Sequence, residues 1–92
     1  MDMDIVFDRA KDVANISKHG LSLADAAKLD WETALVWPDV RYDYREERQA
    51  ALAALGRRVF FVGFVDRLEG RRIITLRKAN TREVKRYVAA ND

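Results

Sequence analysis

The stretch Val59-Phe60-Phe61-Val62-Gly63-Phe64-Val65 decides the fold. It is short for a helix, apolar at odd and even positions alike, and rich in β-branched and aromatic residues. That is the pattern of a central strand covered on both faces. After a turn at Leu68-Glu69-Gly70-Arg71, the run Arg72-Ile-Ile-Thr-Leu-Arg-Lys78 reads as its antiparallel neighbour. Strict alternation sends Ile73, Thr75 and Arg77 to one face and Ile74, Leu76 and Lys78 to the other. On the N-terminal side, the Ala/Leu content of Gln49 to Leu55 favours helix. Its length, the stop at Gly56 and the flanking strands favour a strand, which is the assignment adopted here.

Further upstream, Thr33 to Trp37 is β-prone and ends at Pro38, which cannot donate to a ladder. The connection from Asp39 to Glu47 is polar, carries Tyr42 and Tyr44, and is expected to be exposed. Asp8 caps a first helix that Gly20 ends, with Ala10, Val13 and Ile16 near one face. Ser22 followed by Asp25 resembles a capping box and opens a second, shorter helix with Leu23, Ala26 and Ala27 as its stripe. Thr81 caps a last helix through Ala89 whose Val84, Tyr87 and Val88 pack while Arg82, Lys85 and Arg86 point outward. The expectation is an α+β domain spanning residues 1–92: an N-terminal helical hairpin, an antiparallel sheet of three to four strands, and a C-terminal helix.

Composition narrows the function. The chain has no cysteine and one histidine, which excludes disulfides, thiolate chemistry and Cys- or His-rich metal centres. It has no Gly-rich phosphate loop, no serine nucleophile elbow and no carboxylates at metal-site spacing, so neither a metal nor a cofactor is expected. An acidic start without an apolar core, and no apolar run of membrane length, make the cytoplasm the expected location. Residues 1–66 hold nine Lys/Arg against twelve Asp/Glu, and residues 67–92 hold eight against three. Such a basic C-terminal third is a footprint for a polyanionic partner, or else a solvated helix face balanced by acidic surface elsewhere. One histidine, several tyrosines, a few carboxylates and a cationic surface suit metal-free phosphoryl transfer within RNA, which needs a base, an acid and fixed cations.

The pattern Phe7-Asp8, Lys11, Asn15 and Lys18-His19-Gly20-Leu21-Ser22, then Glu46-Glu47-Arg48, then Arg72-Ile-Ile-Thr-Leu-Arg77-Lys78-Ala79 with Thr81-Arg82-Glu83 and Tyr87, resembles the BrnT family of bacterial toxins over nearly the whole chain. The chain departs from it in having Thr75-Leu76 where a Ser-Ala pair is usual, and an Ala-rich strand at 49–55. The resemblance implies a RelE-like fold, ribonuclease activity that depresses translation, and a ribbon-helix-helix antitoxin, with two toxins and an antitoxin dimer in one complex that contacts DNA only through the antitoxin. A non-catalytic RNA- or ribosome-binding module and a protein-interaction subunit are the alternatives.

The candidate catalytic residues are His19, Glu47, Arg48 and Arg77, and the candidate RNA contacts are Lys18, Arg71, Lys78 and Arg82. Each has a plainer reading. His19 can cap carbonyls at a helix end, Arg77 can form a structural ion pair, and Glu47 with Arg48 can be a surface pair. The four RNA contacts can be solvated surface, Tyr87 reads as core, and Glu83 as the partner of a neighbouring cation.

Overall fold

The computed structural model describes residues 4–41, 43 and 45–92, so Met1 to Met3 and the two tyrosines of the polar connection, Tyr42 and Tyr44, lie outside the described residues. The elements run β1 (Ile5–Val6), α1 (Arg9–His19), a 3-10 helix (Leu23–Lys28), β2 (Asp30–Pro38), β3 (Gln49–Leu55), β4 (Arg58–Arg67), β5 (Gly70–Lys78) and α2 (Thr81–Ala90). The strands form one sheet in the order β1-β5-β4-β3-β2. β2 to β5 are antiparallel neighbours, whereas β1 runs parallel to β5 through Ile5 opposite Arg71 and Val6 opposite Arg72.

The class is α+β, but the expected helical hairpin over a three- to four-strand antiparallel sheet is wrong: the sheet is mixed and has five strands, flanked by short helices. Two local causes produced the difference. Ser22 does cap, accepting from the Ala24 N–H, but Asp12 of α1 accepts from both the Ser22 hydroxyl (3.0 Å) and the Leu23 N–H (2.7 Å). That clamp ties the segment directly to α1, and its six residues wind as a 3-10 helix, a form suited to short runs. β1 is only two residues long, too short to show any periodicity. It reaches β5 because Gly70, at φ 143°, lets the Asp4 carbonyl approach where a Cβ would strike it, and that carbonyl accepts from the Arg71 N–H at 2.7 Å.

Other expectations hold. Asp8 caps α1 by accepting from the Lys11 N–H, and Gly20 ends it in the left-handed region. β3 forms despite its alanines, and β4 is buried from Phe60 to Val65. The last helix is capped by Asn80 rather than Thr81, in a full capping box with Glu83.

The sheet separates two cores. On one face Ala51, Ala53, Phe60, Val62, Phe64, Ile73 and Leu76 pack with Leu23 and Ala26 of the 3-10 segment and with Leu29, which caps its end. On the other, Ala50, Leu52 and Phe61 pack with Trp37, Val59, Ala79 and Tyr87 of α2. Ile73 and Leu76 share a face although they are three residues apart, because β5 carries a bulge: Gly63 pairs with Thr75 but Phe64 with Ile73, leaving Ile74 as the extra residue. The alternation that placed Arg77 beside Ile73 therefore fails. Arg77 pairs with Phe61 and belongs to the α2 face.

Beyond the short reach of β1, the edge of β5 is closed by a side chain. Asn15 of α1, only 6% exposed, donates to the Leu76 carbonyl (2.8 Å) and accepts from the Leu76 N–H (3.1 Å), as a neighbouring strand would. Its amide also donates to the Leu21 carbonyl at 2.9 Å.

Candidate functional site

The α2 face carries a concentration of arginines around two aromatic rings. Arg77 at the end of β5 lies over Phe61 with its guanidinium 4.2 Å from the ring centroid, Arg41 approaches the same ring at 5.8 Å, and Arg86 of α2 lies 4.2 Å over Trp37. The fork of Arg77 donates to both oxygens of Glu83, at 2.8 and 3.0 Å, and Glu83 also takes the Asn80 N–H of the capping box. The hydrogen bonds from Arg77 hold the Glu83 carboxyl below its ordinary value, against the opposing effect of burial. The reading of Glu83 as the partner of a nearby cation thus names Arg77 as that cation.

His19, in the last turn of α1, is half-buried, and its imidazole makes no hydrogen bond to a described residue. Burial first, then the charges of Lys18 and Arg77, lower its pKa from the ordinary 6.5. At neutral pH the ring is therefore neutral and able to accept a proton, and Arg77 is near enough to act on it electrostatically.

A second group sits toward the other end of the same face. Glu46 accepts from Arg48 at 3.4 Å on one oxygen and from Arg67 and Arg72, at 2.7 and 2.8 Å, on the other. Burial works to raise the Glu46 pKa but is outweighed by these three arginines, so the carboxyl stays below its ordinary value. Glu47 is exposed beside it, and two clefts of about 580 and 600 Å³ share Glu46, Glu47 and Gln49 in their walls.

The predicted catalytic residues thus form two groups. Arg77 is level with Phe61, while Arg48, one residue before the Gln49 to Phe64 pair, is level with Val65. Four residues along the strands, about 13 Å, and two strand spacings, about 10 Å across the sheet, separate them. Among the described residues the carboxylate that Arg48 meets is Glu46 rather than Glu47. The predicted RNA contacts are more scattered. Arg71 lies on the opposite face between Trp31 (4.7 Å) and Phe64 (4.2 Å), its fork bound to Asp66. Lys78 pairs with Phe60 and so points to the α1 side, while Lys18 and Arg82 are exposed on their helices. Tyr87 packs against the Phe61 core and its hydroxyl meets that of Thr33 at 3.0 Å.

Sequence reasoning missed Glu46, Arg67, Arg72 and Asn15. Alternation along β4 from Phe61 through Val65 would have placed Arg67 on the arginine face, but nothing in a lone Glu-Glu pair says which carboxylate turns inward.

A small α+β domain with an arginine- and aromatic-lined sheet face, in a chain whose described helices are all too short or too polar to cross a membrane, fits the class of proteins that handle nucleic acid phosphates. The family model described as "Ribonuclease toxin, BrnT, of type II toxin-antitoxin system" matches residues 7–83, and the chain belongs to that family. No curated protein matches the chain.

Proposed function

We propose that the α2 face cleaves single-stranded RNA without a metal ion and so inhibits translation, and that a ribbon-helix-helix antitoxin, bound as a dimer to two toxins, restrains it by lying over this face. Membership of a ribonuclease toxin family supports the activity and the existence of an antitoxin. The observation that carries the mechanism is the Arg77 guanidinium fixed by both oxygens of Glu83 near enough to act on His19, whose pKa is lowered by burial first, then by Lys18 and Arg77. In this reading His19 takes the proton of the ribose 2′-hydroxyl as that oxygen attacks phosphorus, and Arg77 stabilises the growing phosphorane charge. The 5′-oxygen leaves with a proton taken from a solvent water, giving a 2′,3′-cyclic phosphate and a 5′-hydroxyl, and the imidazolium returns its proton to the resulting hydroxide. Arginine cations take the role a metal would have. Glu47 and Arg48, about 13 Å along the strands and about 10 Å across the sheet, act on a neighbouring part of the RNA strand.

Purified protein incubated with single-stranded RNA in excess EDTA should produce cyclic-phosphate ends, and His19→Ala should not. Cleavage that appears only on adding a divalent cation would refute the metal-free mechanism. RNA binding with no cleavage under either condition would favour the non-catalytic module. For the antitoxin, protection of the Arg77 face from crosslinking in the complex is expected, and a complex that leaves that face accessible would reject masking.

A further inference from the structure

We infer that Arg48, Arg67 and Arg72 form a second phosphate-binding site, for an RNA phosphate two along the strand from the one being cleaved, and that Glu46 occupies this site in the free protein. The argument begins with an imbalance between donors and acceptors. Three guanidiniums converge on one carboxylate, two of them sharing a single oxygen of Glu46. Arg72 Nε is buried and has no acceptor at all among the described residues. A buried donor without a partner is uncommon and calls for an explanation. The charge also leans positive among the described residues, where Arg67 and Arg72 meet the same oxygen of one anion at 2.7 and 2.8 Å.

A phosphate diester, a monoanion like the carboxylate it displaces, leaves the charge as it is but supplies more acceptors for these donors. Its oxygens are more numerous than a carboxylate's and match the guanidinium fork. Position supports the assignment. Arg67 and Arg72 share the α2 face with Arg77, because Arg72 pairs with Val65 and Arg77 with Phe61 on one continuous strand. The separation of about 13 Å is too great for one phosphate to bridge and suits two phosphates of one strand with a single phosphate between them. Arg67 is the most exposed of the three, with 42% of its side chain accessible, so the site can be entered from solvent. Glu46 lies at the end of the loop that enters β3, beside Arg45 with its φ of 58°, and so sits on backbone outside the sheet ladder. The strand's phosphate takes over the arginines as the Glu46 carboxylate swings into the adjoining cleft.

This inference rests on the reading of the α2 face as the RNA surface, and its test does not require cleavage. Binding of a single-stranded 2′-deoxy oligonucleotide, which lacks the attacking hydroxyl, is followed by fluorescence anisotropy across a salt series. Arg67→Ala/Arg72→Ala should weaken binding and flatten the log–log salt slope by about 0.7, the loss of one phosphate contact to a single strand. Glu46→Gln should bind several-fold more tightly, because the competing anion is gone. Arg57→Ala, an exposed arginine in the turn between β3 and β4, serves as the control with unchanged slope. Circular dichroism identifies any variant that fails to fold, and in that case charge-preserving Arg67→Lys/Arg72→Lys, which loses the fork but not the charge, should still weaken binding. An unchanged slope in the double alanine variant, or weaker binding by Glu46→Gln, would overturn the site. If instead Arg77→Ala cleaves RNA normally while the double variant behaves as expected, the catalytic assignment fails and the phosphate site stands.

Discussion

Arg77 has two roles that pull on the same fork. Its bidentate bond to Glu83 makes it part of the junction between β5 and α2, while its charge reaches His19. With 29% of the Arg77 side chain and 18% of Glu83 exposed, Arg77→Ala leaves a partly buried carboxylate without its main partner and should cost about 1–2 kcal/mol, read from the urea midpoint. The rate should fall further, by roughly a hundredfold, because a preorganised donor is lost. Normal activity in a destabilised Arg77→Ala protein would make the arginine purely structural. The single histidine provides an independent readout. Its NMR titration midpoint should lie below 6.5 and rise in Arg77→Ala and in Lys18→Ala, and a midpoint indifferent to both would remove the electrostatic link.

At the scale of elements, Asn15 does for β5 what a longer β1 would do. Asn15→Ala leaves the Leu76 N–H and carbonyl without partners and should destabilise by about 3 kcal/mol in urea unfolding. Asn15→Asp should also be poorly tolerated, since a carboxylate can accept from the N–H but turns an acceptor toward two carbonyls. Retention of full stability by both would show the edge sealed by something else. The elements differ in how plainly the sequence announces them. β4 is legible because its apolar run has no polar interruption, and α1 because Asp8 and Gly20 mark its ends by local chemistry. The 3-10 segment was misread as an α-helix because the clamp that holds it, Asp12 on Ser22 and Leu23, joins residues ten and eleven apart. The bulge at Ile74 has no local signal either, and it alone reversed the face assigned to Arg77. Hence candidate residues could be named from the sequence, while their grouping, set by register across strands, could not.

For the molecule as a whole, pH should expose the same ion pairs. Glu46 and Glu83 have folded pKa values below the ordinary 4.5, so the unfolded chain binds their protons first as pH falls. Their contribution is complete above 4.5 and is lost as pH drops through the folded values. His19 is likewise depressed, so its contribution is complete above 6.5 and declines below it. Stability in urea should therefore be level at and above pH 6.5, fall slightly toward pH 5 and fall more steeply below 4.5. Glu83→Gln should flatten the acid limb, and an unaltered limb would mean that the Arg77 pair contributes nothing to acid sensitivity.

The hydrogen bonds between Asn15 and Leu76 span 61 residues. On a chain made from its N-terminus, α1 is synthesised well before the backbone it must seal. Arg67, Arg72, Arg77 and α2 arrive in the same late interval. The order of synthesis therefore acts as a clock. No partial chain ending before β5 has either a closed sheet edge or the full arginine face, so both come into being in the same step of synthesis.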